Sequence, residues 1–140
     1  MGEGRLIVAV PKQDIEGLWP VIKPFIDRVL EYTFGEYIAE DVKDKAINGN
    51  VVFFIVQIDG EIKSVLSTEL IETPYKKYLN IITTSGDDFN EWGEDTLNTL
   101  INVAKEQGAE DITIVGRKGW LRKMKQYGFK HKYTALTLTL

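Results

Sequence analysis

Residues 51–56 form an unbroken apolar run, and an Asp59-Gly60 pair follows shortly after it. Such a run is typical of a strand buried on both faces of a sheet. The Asp-Gly pair favours a two-residue hairpin because both turn positions need positive φ angles. The chain is therefore expected to return as an antiparallel strand from Ile62 to about Ile71. This hairpin places a covered sheet at the centre of the fold.

Four further strands are predicted from apolar or alternating stretches: Arg5 to Val10, Tyr78 to Thr84, Ile112 to Val115, and Tyr133 to Leu140. In the last stretch, leucine and threonine alternate with the period of two that a strand requires. Consecutive strands joined by turns favour antiparallel pairing, whereas a later strand–helix–strand order favours a parallel pair. The expected sheet is mixed, with six or seven strands, and the fourth and fifth strands are expected to splay apart beyond Thr84.

About four helices are predicted from apolar residues spaced three and four apart: Ile15 to Leu30, Glu36 to Ile47, Asn90 to Gln107, and Trp120 to Tyr127. Pro20 and Pro24 predict a kink or a division of the first helix, because an interior proline costs about 3 kcal/mol. Trp120 and Phe129 are expected to be largely buried and to anchor the last helix. No repeat or linker interrupts the chain, so residues 1–140 are expected to form one α/β domain.

The composition excludes several chemistries. Without cysteine, the chain has no disulfides and no thiolate nucleophile, and with one histidine, His131, it has no histidine-based metal cluster. The first apolar stretch ends at Pro11 and is too short for a signal segment or a membrane span. We therefore expect a cytoplasmic protein that binds neither a metal nor a membrane. The net charge of −4 disfavours nucleic acid as a partner.

A basic tail lies against this acidic background. Seven basic residues and no acidic residue occur from position 117 to 132: Arg117, Lys118, Arg122, Lys123, Lys125, Lys130 and Lys132. The basic tail is interpreted either as a solvated helix face or as a contact for phosphates, nucleic acid or an acidic protein partner. Trp120, within this run, either packs in the core or stacks on a base.

The order of elements resembles that of GNAT N-acetyltransferase domains. The resemblance covers residues 5–140 and is carried by four consecutive elements: the strand Ile112 to Val115, the short helix Trp120 to Tyr127, the Gly128-Phe129 pair and the last strand, Tyr133 to Leu140. The stretch Gly116-Arg117-Lys118-Gly119-Trp120 also resembles small GNAT-like proteins encoded by tailed bacteriophages. The resemblance implies a three-layer α/β fold, an acetyl-CoA cofactor, transfer of an acetyl group to an amine, and, for a phage protein, a location in the host cytoplasm.

The same resemblance implies where acetyl-CoA binds. The cofactor is expected between the fourth and fifth strands, where backbone groups would hold pantetheine and basic residues the phosphates. The implied cofactor-binding positions are Ile82, Thr83, Thr84, Ser85, Gly86, Arg117 and Lys118.

The sequence departs from the GNAT pattern in the phosphate loop. Gly86 and Gly93 are present, but their spacing differs, and the loop and helix start carry five acids: Asp87, Asp88, Glu91, Glu94 and Asp95. These acids either cap the following helix or oppose the cofactor phosphates. If they lie beside the phosphates, electrostatic repulsion predicts an acetyl-CoA dissociation constant weaker than about 100 μM.

The position of the general acid also departs from the pattern. Met124 stands four residues before Gly128, where many GNAT enzymes carry a tyrosine, and a thioether cannot donate a proton. Three weaker catalytic candidates remain: Glu69, Glu72 and Tyr127. Surface exposure explains the two glutamates equally well.

Two functions are left open. The first is an acetyl-CoA-dependent N-acetyltransferase that acts on a small-molecule or protein amine. The second is a catalytically degenerate GNAT-fold protein that binds a partner or belongs to a virion, with the basic tail as the contact for a protein partner.

Overall fold

A computed structural model of the chain describes residues 4–31, 37–86, 88–115 and 118–140. In these ranges, nine helices and strands follow the predicted order, and a short 3₁₀ turn (Lys12–Asp14) precedes the first helix. They are β1 (Arg5–Ala9), α1 (Ile15–Leu30), α2 (Ala39–Asn48), β2 (Val51–Ile58), β3 (Glu61–Thr73), β4 (Lys76–Gly86), α3 (Phe89–Glu106), β5 (Asp111–Ile114) and α4 (Lys118–Lys125).

The sheet has the strand order β1-β2-β3-β4-β5. The first four strands pair antiparallel, and β4 pairs with β5 in parallel, so the predicted mixed sheet is confirmed. The hairpin between β2 and β3 is also confirmed, because Asp59 and Gly60 have φ angles of 51° and 83°. This local turn chemistry fixes the register beside the turn, and a bulge between Val56 and Gln57 shifts the register farther along the pair.

The predicted number of strands was wrong, because the described residues form five strands rather than six or seven. The missing strand is Tyr133 to Leu140, which has no sheet partner and no regular secondary structure. Alternation of leucine and threonine shows that a segment can form a strand, but a strand also needs a hydrogen-bonded neighbour. In the described part of the chain no strand bonds this segment, and the strand nearest to it in sequence, β5, has only four residues.

The division predicted for the first helix does not occur, because α1 runs continuously from Ile15 to Leu30. Pro20 and Pro24 are four residues apart and therefore lie on the same side of α1. Both are exposed. On that side, water can bond the carbonyl groups that the two prolines leave without an amide partner. The buried side, which includes Ile22 and Ile26, remains intact.

Helices cover both faces of the sheet and enclose two cores. On one face, α1 lies across β3 and β4 and α2 lies across β2, around buried residues such as Ile22 and Phe53. On the other face, α3 lies against β1, β4 and β5, around Phe54 and Trp92. The result is the three-layer α/β arrangement that the sequence predicted.

None of the helices in the described ranges has the length and apolarity that crossing a bilayer requires. None of the acidic or histidine side chains in these ranges form a group of three or more that could hold a metal ion.

Candidate active site

The parallel pair β4–β5 opens into a slot. Pairing runs from Tyr78 opposite Asp111 to Ile81 opposite Ile114, where β5 ends. Strand β4 continues past this point for five residues, to Gly86. The backbone edge of these residues on the β5 side can therefore receive an extended ligand instead of a strand.

A β-bulge in β4 lies where the slot begins. Ser67 pairs with Thr83 and Thr68 pairs with Ile81, so Ile82 has no partner on β3. Ile81 packs in the core beneath α3, whereas Ile82 packs in the core beneath α1 and α2. Thr84, two residues after Ile82, lies on the α3 face instead of the Ile82 face, so the bulge reverses the alternation of side chains. It also increases the local twist, which helps β4 to separate from β5.

The hydroxyl groups beyond the bulge lie on opposite faces of the sheet. Thr83 shares a short hydrogen bond with Ser67, a buried residue of β3. Thr84 faces the opposite side, where it lines a cavity beneath α3 and α4. The slot is thus bordered by polar atoms on both faces of β4.

The start of α3 lies at the end of the slot. Asp88 precedes the helix in a left-handed conformation, with a φ angle of 60°, and its side chain makes no capping hydrogen bond. The carboxylate of Asp88 instead lies 3.7 Å from the Lys63 ammonium. The neighbouring Glu61 is the main cause of the raised pKa of Lys63, and Asp88 adds to it.

The acids of this region are only partly directed at the helix start. Asp95 forms an ion pair with Arg5 of β1, with 2.8 Å between nitrogen and oxygen. Glu91 and Glu94 are exposed on α3, and Asp87 lies outside the described residues. Asp88 thus pairs with a lysine of β3, and Asp95 pairs with an arginine of β1. The repulsion between these carboxylates and a phosphate at the start of α3 is therefore weaker than the sequence alone suggests.

Three aromatic rings connect α3 to α4, and we call them the aromatic bridge: Phe89, Trp120 and Tyr127. The Phe89 ring centroid lies 5.3 Å from that of Trp120 and 6.0 Å from that of Tyr127. Phe89 also packs against Gly93, where a Cβ atom would approach its ring to 2.6 Å. Because Phe89 and Trp120 lie over Thr84 of β4 and Ile114 of β5, the aromatic bridge closes one side of the slot.

Trp120 and Phe129, which were expected to be largely buried, are only partly buried.

Lys123 adds a positive charge to the aromatic bridge. Its ammonium lies 5.3 Å from the ring centroids of both Phe89 and Trp120, a cation–π geometry. Phe89 is the first residue of α3, so this cation lies beside the start of that helix. The sequence placed Lys123 in the basic tail but did not single it out, because no spacing rule connects α4 to α3.

Little space remains beneath the aromatic bridge. The cavity there has a volume of about 20 Å³ and is lined by Thr84, Thr96, Met124 and the bridge residues Phe89 and Trp120, among others. Ligand sites usually measure about 300–1,000 Å³. An extended ligand in the slot would therefore require the rings of Phe89 and Trp120 to move.

The Thr96 hydroxyl is buried beneath α3 without a hydrogen-bond partner in the described part of the chain. Burial of an unpaired hydroxyl costs about 1–3 kcal/mol, whereas valine has nearly the same shape without the polar atom. We expect Thr96→Val to raise the free energy of unfolding by about 1 kcal/mol, as measured by urea denaturation. Thr96→Ser is the matched control and should destabilise the protein, because it keeps the hydroxyl and removes the methyl group. A loss of stability in Thr96→Val would show that the hydroxyl has a partner.

The predicted cofactor-binding positions in the described residues lie at the end of β4 and at the start of α4. Ile82, Thr83, Thr84, Ser85 and Gly86 form the free end of β4 along the slot. Lys118 is the first residue of α4, and Arg117 lies outside the described residues. The β4 positions therefore line the slot, and the start of α3 lies at its end.

The three catalytic candidates do not lie together. Glu69 is on β3 beneath α2, where Lys45 lies 3.7 Å from its carboxylate. Glu72 is near the end of β3 and lies 4.0 Å from Lys77. Tyr127 is on the opposite face of the sheet, in the aromatic bridge, and Met124 beside it is buried.

Of the two glutamates, Glu69 lies nearer the slot. It pairs across the sheet with Asn80, which accepts a 2.8 Å hydrogen bond from Thr113 of β5. Glu69, Asn80 and Thr113 thus form a polar row across β3, β4 and β5. Along β4, the row lies two residues before the bulge at Ile82, which is about 7 Å at the strand rise of about 3.3 Å per residue. Glu72 pairs with Lys77, about 16 Å before the bulge. Asn80 and Thr113 were not predicted, because cross-strand partners are invisible without the register.

In sequence, the chain matches no protein-family model and no curated protein. Its structure is similar to that of an aminoglycoside acetyltransferase from an uncultured soil metagenomic sample in complex with sisomicin, with a TM-score of 0.73 and 16% identity over 98% of this chain and 97% of the other. A predicted acetyltransferase with acetyl-CoA from Clostridium acetobutylicum gives 0.69 and 19% over 96% of both chains. A GNAT family acetyltransferase from Staphylococcus aureus gives 0.69 and 13% over 98% and 99%.

These similarities extend over nearly the whole chain, whereas the identities are below the level at which function can be transferred. The similarity therefore concerns the arrangement of helices and strands. The chain has a GNAT-like α/β fold.

Proposed function

We propose that the protein is an acetyl-CoA-dependent N-acetyltransferase. The observation that carries the proposal is the parallel pair β4–β5, which ends at Ile81 and Ile114 while β4 continues past a bulge to Gly86. Such a slot exposes backbone hydrogen-bonding groups in a row, and an extended amide-containing arm can pair with them as a strand would. Pantetheine is an arm of this kind.

The residues around the slot fit acetyl-CoA, which would supply the acetyl group as a thioester. The backbone of residues 82–86 would bind the pantetheine arm. The start of α3 offers amide groups and a positive dipole end to the phosphates, and Lys123 lies beside it. Arg117 and Lys118 are further phosphate ligands implied by the GNAT resemblance.

Glu69 is the residue that we assign to the acceptor amine. An amine attacks a thioester only in its neutral form, so a carboxylate that takes its proton, directly or through water, assists the reaction. Glu69 lies on the face beneath α1 and α2, away from the aromatic bridge. The cofactor and acceptor would therefore approach from opposite faces of the sheet.

The acceptor is proposed to be a small-molecule or protein amine. One structurally similar acetyltransferase is in complex with sisomicin, which makes aminoglycosides the first compounds to test. The resemblance of residues 116–120 to small phage-encoded proteins adds a phage origin, and with it the host cytoplasm, to the proposal.

A second candidate is a GNAT-fold binding protein without turnover, with the basic tail as the contact for a protein partner. The observation that favours it is the closed slot: the aromatic bridge leaves a cavity of only about 20 Å³. Met124, which stands at the family's general-acid position, is buried. A protein that no longer binds acetyl-CoA would have no need to keep the slot open.

Acetyl-CoA is expected to bind with a dissociation constant of about 0.1–1 mM, or about 4–5.5 kcal/mol. The affinity is low because the site must first open, and the apparent dissociation constant equals the intrinsic one divided by the fraction of molecules that are open. Isothermal titration calorimetry measures this constant, and titration with inorganic phosphate at equal ionic strength is the control. Lys123→Ala should weaken binding of acetyl-CoA, whereas Lys105→Ala, on the far end of α3, should leave it unchanged.

The same titration distinguishes the two candidates. No heat beyond that of phosphate at several millimolar acetyl-CoA would contradict the enzyme and support the binding protein. A low-micromolar constant would support the enzyme and show that the aromatic bridge opens at little cost.

A further inference from the structure

The side chain of Lys45 on α2 contacts both an aromatic ring and a carboxylate. Its ammonium lies over the ring of Tyr37, 5.3 Å from the centroid, and 3.7 Å from a carboxylate oxygen of Glu69. The same nitrogen makes both contacts. A primary alkylammonium is thus held by a π face and a negative charge, which are two groups that attract such a cation in proteins.

A ligand can exchange with Lys45 at this position. The Lys45 side chain is 44% exposed, whereas that of Glu69 is 26% exposed and belongs to a strand inside the sheet. Lys45 can therefore turn into water, where an ammonium is strongly hydrated, while Glu69 keeps its position. The residues opposite Glu69 on the neighbouring strands, Val51 and Asn80, carry no charge. Departure of Lys45 thus leaves a half-buried carboxylate whose charge an incoming cation can balance.

A second lysine of α2 makes contacts of the same kind. The Lys43 ammonium lies 5.4 Å from the Trp19 ring centroid and 2.6 Å from the Glu16 carboxylate. Both partners belong to α1, so the contacts of Lys43 connect two helices. The contacts of Lys45 instead reach Glu69 on β3, in the polar row that precedes the bulge. The place of Glu69 beside the slot is what distinguishes the Lys45 position from the Lys43 position.

We propose that Tyr37 and Glu69 form the binding site for the ammonium group of the acceptor, and that Lys45 occupies this site until the acceptor displaces it. The inference rests on the proposed function and assigns its acceptor to one class, a primary amine on an unbranched alkyl chain, because a lysine side chain is such an amine. Glu69 binds the acceptor as an ammonium ion before it takes the proton. Tyr37 favours cationic over neutral acceptors.

Lys45 is an internal competitor in this arrangement. It is tethered beside the site through α2, so its effective concentration there is in the millimolar range or above. The apparent dissociation constant of an acceptor equals the intrinsic constant divided by the fraction of molecules in which the site is free. With the site free in about one molecule in ten, removal of the Lys45 ammonium strengthens acceptor binding about tenfold.

Titration with n-butylamine tests the site in the absence of acetyl-CoA. This probe has the unbranched chain and the ammonium of a lysine side chain, and n-butanol is the neutral control. Two-dimensional NMR of the full chain at neutral pH and constant ionic strength measures binding at the amides of Tyr37 and Glu69. Lys45→Met should bind n-butylamine at least about tenfold more tightly than the unchanged protein. Lys45→Arg keeps a cation at the site and should gain no affinity.

Matched variants separate the site from a general effect of charge. Lys43→Met also removes one lysine from α2, and the affinity measured at Tyr37 and Glu69 should stay within about twofold of the unchanged protein, since Lys45 still occupies the site. In the Lys45→Met chain, Tyr37→Leu should weaken binding about two- to fivefold, the size of a cation–π contact at an exposed site. Tyr37→Phe keeps an aromatic ring and should retain the affinity. Circular dichroism confirms that each variant folds.

Two results would overturn the inference. One is a folded Lys45→Met variant that binds n-butylamine no more tightly than the unchanged protein. The other is an equal gain of affinity in Lys43→Met, which would assign the effect to net charge.

These results are independent of the proposed function, because the titrations contain no acetyl-CoA. Binding of n-butylamine at Tyr37 and Glu69 in a protein that does not bind acetyl-CoA would support the ammonium site and contradict the transfer reaction. Acetylation of an amine with the same KM in Lys45→Met and in the unchanged protein would support the transfer reaction and overturn the competition by Lys45.

Discussion

Trp92→Ala is expected to lower the free energy of unfolding by about 3–5 kcal/mol, because truncation of a buried aromatic leaves a large cavity. Trp92 is 1% exposed on α3, and its ring centroid lies 4.9 Å from that of Phe89. It packs in the core against β2 and β4. These strands are hydrogen-bonded in the sheet and cannot move to fill the cavity. Since domains are stable by about 5–15 kcal/mol, the variant should unfold at much lower urea concentration.

Trp120→Ala is the matched control for this prediction. Trp120 is partly buried in the aromatic bridge, so its removal exposes less new surface and should cost about 1–2 kcal/mol. Urea denaturation followed by far-ultraviolet circular dichroism measures both variants. A loss below about 1 kcal/mol for Trp92→Ala would mean that the core beneath α3 can collapse around the missing ring. A larger loss for Trp120→Ala would assign the stability of this side to the aromatic bridge instead.

The parts of the fold that follow local rules could be predicted from the sequence. The β2–β3 hairpin was predicted because Asp59-Gly60 satisfies the positive φ angles of its turn by itself. Helix α3 was predicted to within one residue at each end, because its apolar residues repeat at helical spacing. The parallel pairing of β4 with β5 followed from the helix between them.

The parts that depend on a neighbour could not be predicted in the same way. Pro20 and Pro24 are tolerated in α1 because both face solvent, which requires the orientation of the helix on the sheet. Residues 133–140 have the pattern of a strand, but the pattern does not specify a partner. In each case the deciding contact is distant in sequence.

The candidate site illustrates the same division. Residues 82–86 were assigned to the cofactor through a resemblance, whereas the bulge that frees them arises from the pairing of β4 with β3. The doublets Ile81-Ile82 and Thr83-Thr84 interrupt the alternation of β4 and were the available signal for it. The positions of Lys123 at α3 and of Asn80 beside Glu69 have no such signal, because they result from the packing of separate elements.

Glu69→Gln is expected to lower the rate of acetyl transfer by about 10²-fold or more, the usual contribution of a positioned general base. Glutamine keeps the size of the side chain and an oxygen acceptor, but it cannot take a proton. Lys45 lies 3.7 Å from the Glu69 carboxylate and holds it beneath α2, on the face assigned to the acceptor. Release of CoA thiol from acetyl-CoA with an aminoglycoside or a peptide amine measures the rate. The protein has no cysteine and therefore adds no thiol background.

Glu72→Gln is the matched control, because Glu72 is a glutamate of the same strand that lies about 10 Å farther from the bulge, at the strand rise of about 3.3 Å per residue. Its rate should stay within about twofold of the unchanged protein, since it is too far from the slot to exchange a proton with a bound amine. Acetyl-CoA affinity, measured by calorimetry, should be the same in both variants, which separates loss of a base from loss of the cofactor. If Glu69→Gln kept full activity at unchanged affinity, Glu69 would have no part in the chemistry. The acceptor proton would then have to leave through water or through a residue outside the polar row.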